Sequence, residues 1–337
     1  MKKTIICLLM TALLLAAGER GLRRDAQAYI LSLFESKMQA PETVQQEALF
    51  ERDAQPVTDT LDVTLYYRYG QTDVLGMESA LIETAREESI ARAIVEQLVE
   101  GPDAAHGKLS GVFPRGTDVI SVAEANDTAF VTLSEEFLGR PDGAPEDWED
   151  LAVWQEEATL RRWLAAQSII CALTEGGRYQ RVQLYVAQSA EDVPRRIPLC
   201  YFDLSIADPA VVLAASSRDE EAILTPQRAI QMIFDGWQQR DWESVYALIC
   251  ADREGHLPTL SAFEAQMRAE DVTLVTAEAS FGSVDAGGST ATLMVDGAVR
   301  LKDGSSRRLI RQSVPMVRVA DNWAMRLDTL RTLMGAE

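Results

Sequence analysis

The chain has 337 residues, 47% of them hydrophobic, enough for two ordinary domains with a packed core each once a leader is set aside. Its 52 Asp and Glu against 32 Lys and Arg leave a net charge of -20. Such a surface opposes nucleic-acid phosphates and anionic headgroups, so neither is an expected partner, and it chiefly reports solubility.

The opening MKKTIICLLMTALLLAAG, residues 1–18, reads as an export signal. Lys2 and Lys3 precede an apolar core over residues 5–15, and Ala16-Ala17-Gly18 suits cleavage. The core is shorter than the ~20 residues a membrane span needs. Leu15-Ala16-Ala17 resembles the front of a bacterial lipoprotein box, but Gly18 stands where the lipid-bearing cysteine belongs. Ordinary secretion, an uncleaved tether and a lost lipid site are all compatible with it. Residues 23–38 have helical apolar spacing, and the stretch to residue 60 has no period, so 19–60 reads as a short helix and a linker.

Past the leader the chain holds Cys171, Cys200 and Cys250, an odd number that permits at most one disulfide. None lies in a C-x-x-C pair or has a histidine at metal-ligand spacing. The apolar helical contexts of Cys171 and Cys250 predict buried free thiols.

Regular structure is expected from residue 61. Alternation and β-branching predict a strand at 63–67. Ile90, Ala93, Ile94 and Leu98 fall on one helical face over 88–99, with Gly101-Pro102 as the stop. Strands at 117–122 and 128–133 flank a turn, a second helix spans 160–173, and a strand at 181–186 closes the set. The order β-α-β-β-α-β predicts one sheet with both helices on one face. Residues 193–224 read as a linker that can add an edge strand.

The segment EGPDAAHGKLSG, from Glu100 to Gly111, has the composition of a phosphate-binding loop. A P-loop needs four residues between its first Gly and Gly-Lys, then Ser or Thr. Here five separate Gly101 from Gly107, and Leu109 follows Lys108. The segment also leaves a helix and leads toward a strand, the reverse of the context that aims amides at a phosphate. Nucleotide binding is not expected.

The same stretch resembles another pattern. Leu98-Val99-Glu100-Gly101-Pro102 is similar to the "LLEGP" that ends the first helix of the GerM-type sporulation and spore-germination domain. LSGVFPRGT, which includes Pro114, Gly116 and Thr117, resembles its "L-x-S-x-hydrophobic-P-x-GT". AFVTLSEEF resembles "A-x-V-D-L-S-x-E-F" through Leu133, Ser134 and Phe137, with Thr132 in place of the usual Asp. AQSIICALT looks like the second-helix motif. The likeness covers residues 61–192 and departs after Val186, where AQSA replaces a glycine turn. It implies an envelope protein of spore formers or their relatives, from a family whose best-known member carries two such domains. No second "EGP" or "P-x-GT" occurs here. Chemically the motif residues read as scaffolding: no nucleophile has a base beside it.

Residues 225–337 begin with Thr225-Pro226, a helix start. Helices are predicted at 227–238, 242–250 and 260–267, then alternating strands at 273–284, 290–301, 306–319 and 323–327. Helices followed by an antiparallel sheet make this an α+β domain with one curved sheet. Its opening resembles a nuclear-transport-factor-two-like cone, a fold that hosts enzymes as well as binding domains. An enzyme of this kind needs an inward acid or base, for which Asp235, Asp241 and His256 are the candidates, with Trp237 and Trp242 as pocket walls. Their bland readings are cap, surface charge, exposed loop and core.

The expectation is therefore an α+β, non-catalytic, extracytoplasmic interaction module without a cofactor or metal. Its partners would be envelope or sporulation proteins or copies of itself, and membrane contact would run only through the leader. The alternative is a ligand-binding or enzymatic cone displayed on a GerM-type scaffold. A cation site at Asp142, Glu146, Asp147, Glu149 and Asp150 lacks EF-hand spacing and reads as a solvated loop.

Overall fold

Two strands, β1 (Thr58–Tyr69) and β2 (Leu75–Ala85), open the described chain as a long antiparallel hairpin in unbroken register from Thr58↔Ala85 to Arg68↔Leu75. The structure is a computed structural model and describes residues 58–85 and 89–335. The expected export signal and the helix expected over 23–38 lie outside the described residues.

Helix α1 (Ile90–Glu100) follows. Ser89 Oγ caps it by accepting from Arg92 N–H at 3.4 Å, and Gly101, at φ 109°, ends it. The P-loop-like segment then runs into β3 (Leu109–Ser110), which pairs with the end of β1 to give the order β2-β1-β3. A second sheet holds β4 (Val119–Ala125), β5 (Thr128–Ser134), β6 (Arg181–Ala187) and β7 (Arg195–Arg196), in chain order. Strands β5 and β6 are parallel, so a crossover must join them, and α2 (Ala152–Thr174) supplies it.

The one-sheet expectation for this half is corrected to two sheets, and α2 gives the reason. Its residues from Leu164 to Leu173 are buried without a break. A helix buried all round needs cover on every side. It packs on β1 of the first sheet and β6 of the second, and the Ser168 hydroxyl donates to the Tyr66 carbonyl at 2.6 Å. One sheet could cover only one face.

Strand β2 was not anticipated because its pattern is inverted. Glu78 and Thr84 face inward with Gly76 and Ile82, whereas Leu81 is 73% exposed. Residues 193–224, read as linker, pack closely. Ile197, Ile223 and Leu224 are buried, and Ile223 bridges Leu75 while Ser216 bridges Val182.

The remaining chain follows the expected order. Thr225 Oγ1 caps α3 (Pro226–Gln239) by accepting from Arg228 N–H at 3.2 Å. Helix α4 (Trp242–Ala247) stops three residues early, because Ile249–Cys250 becomes β8, parallel to β12. Helix α5 (Leu260–Glu270) precedes β9 (Thr273–Val284), β10 (Thr290–Arg300), β11 (Ser306–Val319) and β12 (Asn322–Arg326). The sheet order is β8-β12-β11-β10-β9, and α6 (Leu327–Met334), not anticipated, closes the described chain. The class is α+β. Residues from Thr58 onward form one compact unit whose apolar core runs continuously through both halves. No helix among the described residues is long and apolar enough to cross a membrane.

Candidate functional site

The GerM-like motif residues build a clasp. Tyr67 donates its hydroxyl toward the carbonyls of Gln97 and Gly101, both at 3.1 Å, tying the end of α1 to β1. Pro102 continues from that cap, and Glu100 is exposed. The Pro114 carbonyl accepts from Thr117 Oγ1 at 2.7 Å and from Thr117 N–H at 3.2 Å. Ser134 Oγ accepts from Asp118 N–H at 3.0 Å and donates to the Gly116 carbonyl at 3.4 Å. Leu133 and Phe137 are fully buried, with the Phe137 ring between Phe113 and Phe202 at 6.2 and 6.4 Å. The hydroxyls of Thr117 and Ser134 are thus committed to backbone partners.

The P-loop-like segment has a different role. Lys108 Nζ donates to the Ala247 carbonyl at the end of α4, at 2.7 Å, and Tyr69 donates to the same oxygen at 3.1 Å. Beside it, Asn322, at the start of β12, mimics a strand partner. Its Oδ1 accepts from Met77 N–H at 2.7 Å, and its Nδ2 donates to the carbonyls of Met77 at 2.9 Å and Ala320 at 2.8 Å. Gly76 makes room: a Cβ there would lie 2.5 Å from Asn322 Oδ1 and 2.6 Å from Leu109 Cδ2. Leu224 N–H donates to the Leu75 carbonyl at 2.8 Å, and Arg228 pairs with Asp73 at 3.1 Å. Neither Asn322 nor Gly76 was singled out from the sequence, because partners more than two hundred residues apart leave no local pattern.

The four residues expected to line a cone pocket do not converge on one. Trp237 is core and donates Nε1–H to the Val272 carbonyl at 2.9 Å. Trp242 is buried edge-on to Phe263 at 6.5 Å. Asp241 caps α4 through Ser244, and Asp235 accepts from Gln231 on the surface at 2.8 Å. His256 lies in an exposed loop with its N–H on Asp252. Cys171, Cys200 and Cys250 are free. Cys171 is buried, which pushes its thiol up to about 12, whereas Cys250 is half-buried, a correction to its expected burial. Its place at the rim of the junction, rather than in the core, is the reason. Asp142 accepts from Arg115, and no group of three or more His, Cys, Asp or Glu among the described residues could hold a metal ion.

An open cleft of 570 Å3 lies elsewhere, where α2 meets the loops around residues 203 and 220. Leu160, Trp163, Phe202 and Leu204 form its apolar lining. Five carboxylates rim it, those of Asp73, Glu156, Asp203, Asp219 and Glu221, and Arg228 is the one cation among its lining residues. Hydrogen bonds from Ser205 hold the Asp203 carboxyl below its ordinary value. The cleft sits in the more acidic half: residues 58–224 carry 30 Asp and Glu against 13 Lys and Arg, and residues 225–337 carry 15 against 12.

Residues 64–191 match the family model Germane, described as sporulation and spore germination. The tandem GerMN domains of the sporulation protein GerM from Bacillus subtilis match at 15% identity and a TM-score of 0.31. That match covers 49% of this chain and 46% of the other, so this chain spans about half the length of that relative. The first GerMN domain of the same protein matches at 21% identity, covering 39% of this chain and 85% of that one, with a TM-score of 0.25. A nuclear-transport-factor-two-like protein of unknown function from Cytophaga hutchinsonii matches at 9% identity, covering 31% and 88%, with a TM-score of 0.21. No curated protein sequence matches. Both the family match and the motifs fall on the same stretch, residues 64–191.

Proposed function

We propose that the chain is an exported, non-catalytic assembly module of sporulation or germination, with envelope proteins as partners. The observation that carries this reading is the Germane match over residues 64–191. Two features support it. The leader-like residues 1–18 suit export. The motif hydroxyls of Thr117 and Ser134 each hydrogen-bond backbone groups that fix the local turn. The alternative, a ligand-binding cone, gains nothing from Asp235, Trp237, Asp241 and Trp242, which line none of the clefts described. The experiment is imaging of a C-terminally tagged chain in its source cell through growth and sporulation. Enrichment at the septum or around the forespore is expected, and uniform release into the medium would refute the reading.

A further inference from the structure

We propose that the cleft between α2 and the loops around residues 203 and 220 is the docking site of a basic, apolar-bearing peptide segment of a partner protein. The proposal rests on the assembly-module reading and names the chemistry of its partner. The cleft's volume, 570 Å3, is within the ~300–1,000 Å3 typical of sites that hold ligands. Its composition decides what kind. The half-buried Trp163 and Leu160 on α2, together with the 53% exposed Leu204, offer apolar surface that stays wet unless a partner covers it.

The rim sets the sign. Asp73 is engaged by Arg228, whereas Glu156 and Glu221 meet no cation within salt-bridge distance among the described residues. Asp203 and Asp219 accept from the backbone of their own turns, which fixes their carboxylates beside the opening. An acidic or purely apolar occupant would leave those charges repelled or desolvated. A segment that alternates Arg or Lys with Leu, Met or an aromatic meets both requirements. Its apolar side chains cover Trp163 and Leu204, and its cations sit among the rim carboxylates, partly desolvated, where pairing is stronger than on an open surface. The excess of carboxylates over residues 58–224 speeds the encounter of such a segment.

The test is fluorescence anisotropy with the purified full chain and three labelled synthetic peptides of equal length. One alternates Arg with Leu and Trp, one replaces Arg by Glu, and one replaces Leu and Trp by Ser. The first should bind about tenfold or more tighter than either other peptide, and less tightly as salt rises. The pair Glu156→Lys and Glu221→Lys should weaken it about tenfold or more. The pair Glu243→Lys and Glu254→Lys, an equal charge change outside the cleft, should leave it within about twofold, with melting temperatures unchanged in both. Equal weakening by the two pairs would overturn the proposal, since the chain's overall charge would then be the attractant. So would equal binding of the Arg–Ser peptide, or no binding by a chain that still localises to the forespore. That last outcome would overturn the cleft assignment and leave the module reading standing.

Discussion

Replacing Asn322 probes the joint between the half that holds residues 64–191 and the helix-and-sheet half. The residue is 5% exposed, and its carboxamide makes three hydrogen bonds, two of them to the backbone of Met77 on β2. Asn322→Ala removes all three and leaves a strand-edge N–H and C=O facing a space shaped for an amide. At roughly 1 kcal/mol net for each of the three bonds, with a further ~1–3 kcal/mol where a polar group is left dry, the cost is about 4–6 kcal/mol. For a unit of this size that is a fall in Tm of about 10–15 °C. Asn322→Asp is the sharper variant. It keeps the shape and the acceptor but turns the donor into an oxygen aimed at two carbonyls, beside the Asp321 carboxylate that accepts from Ser79 N–H at 3.0 Å. It should destabilise at least as much as alanine at pH 7 and recover as pH falls, because protonation removes the charge and restores one donor. Scanning calorimetry of the purified chain at pH 5 and pH 7 reads both. A Tm within about 2 °C of the parent for Asn322→Ala, or a pH-independent loss for Asn322→Asp, would refute the strand-mimic reasoning.

Two further outcomes follow from the same geometry. Gly76→Ala should cost about 1–3 kcal/mol by forcing Asn322 and Leu109 apart, and pairing it with Asn322→Ala should cost less than the sum of the two changes, measured by urea unfolding. For Glu157, burial pushes the carboxyl up, but hydrogen bonds and charge from Arg68 and Arg161 outweigh it and hold the group below its ordinary value. Its contribution is therefore present above the ordinary carboxylate range and lost as pH falls through the lower folded value. Glu157→Gln leaves the buried Arg68 guanidinium without its counter-ion and should cost about 2–4 kcal/mol at pH 7, shrinking toward pH 3. A difference that stays constant over that pH range would contradict the pairing.

The sequence is legible where one face of an element is wet. Strands β10 and β11 and helix α3 show their periods because each buries chiefly one side, and their bounds agree with the expected ones within a residue or two. Helix α2 starts two turns before the expected residue 160, because the added portion carries Gln155, Glu156 and Glu157 among its apolar residues. Strand β2 was hidden by polar groups facing in and Leu81 facing out. The same reasoning separates the motif clasp from the cleft. Ser134, Thr117 and Phe137 lie in a contiguous motif and could be picked out by resemblance. The cleft draws Asp73, Glu156, Asp203 and Arg228 from four separate segments, so only folding brings them together. The carboxylates that drew notice in the sequence, at 142–150, lie in a different loop and do not line this cleft.

The most direct measurement of the central claim is live-cell imaging of the tagged chain beside a version lacking residues 1–18, from vegetative growth to spore release. The account predicts that the intact chain gathers at the septum and then around the forespore, and that the truncated chain stays diffuse in the cytoplasm. An intact chain that stays diffuse, or that is shed evenly into the medium whether or not cells sporulate, would contradict it.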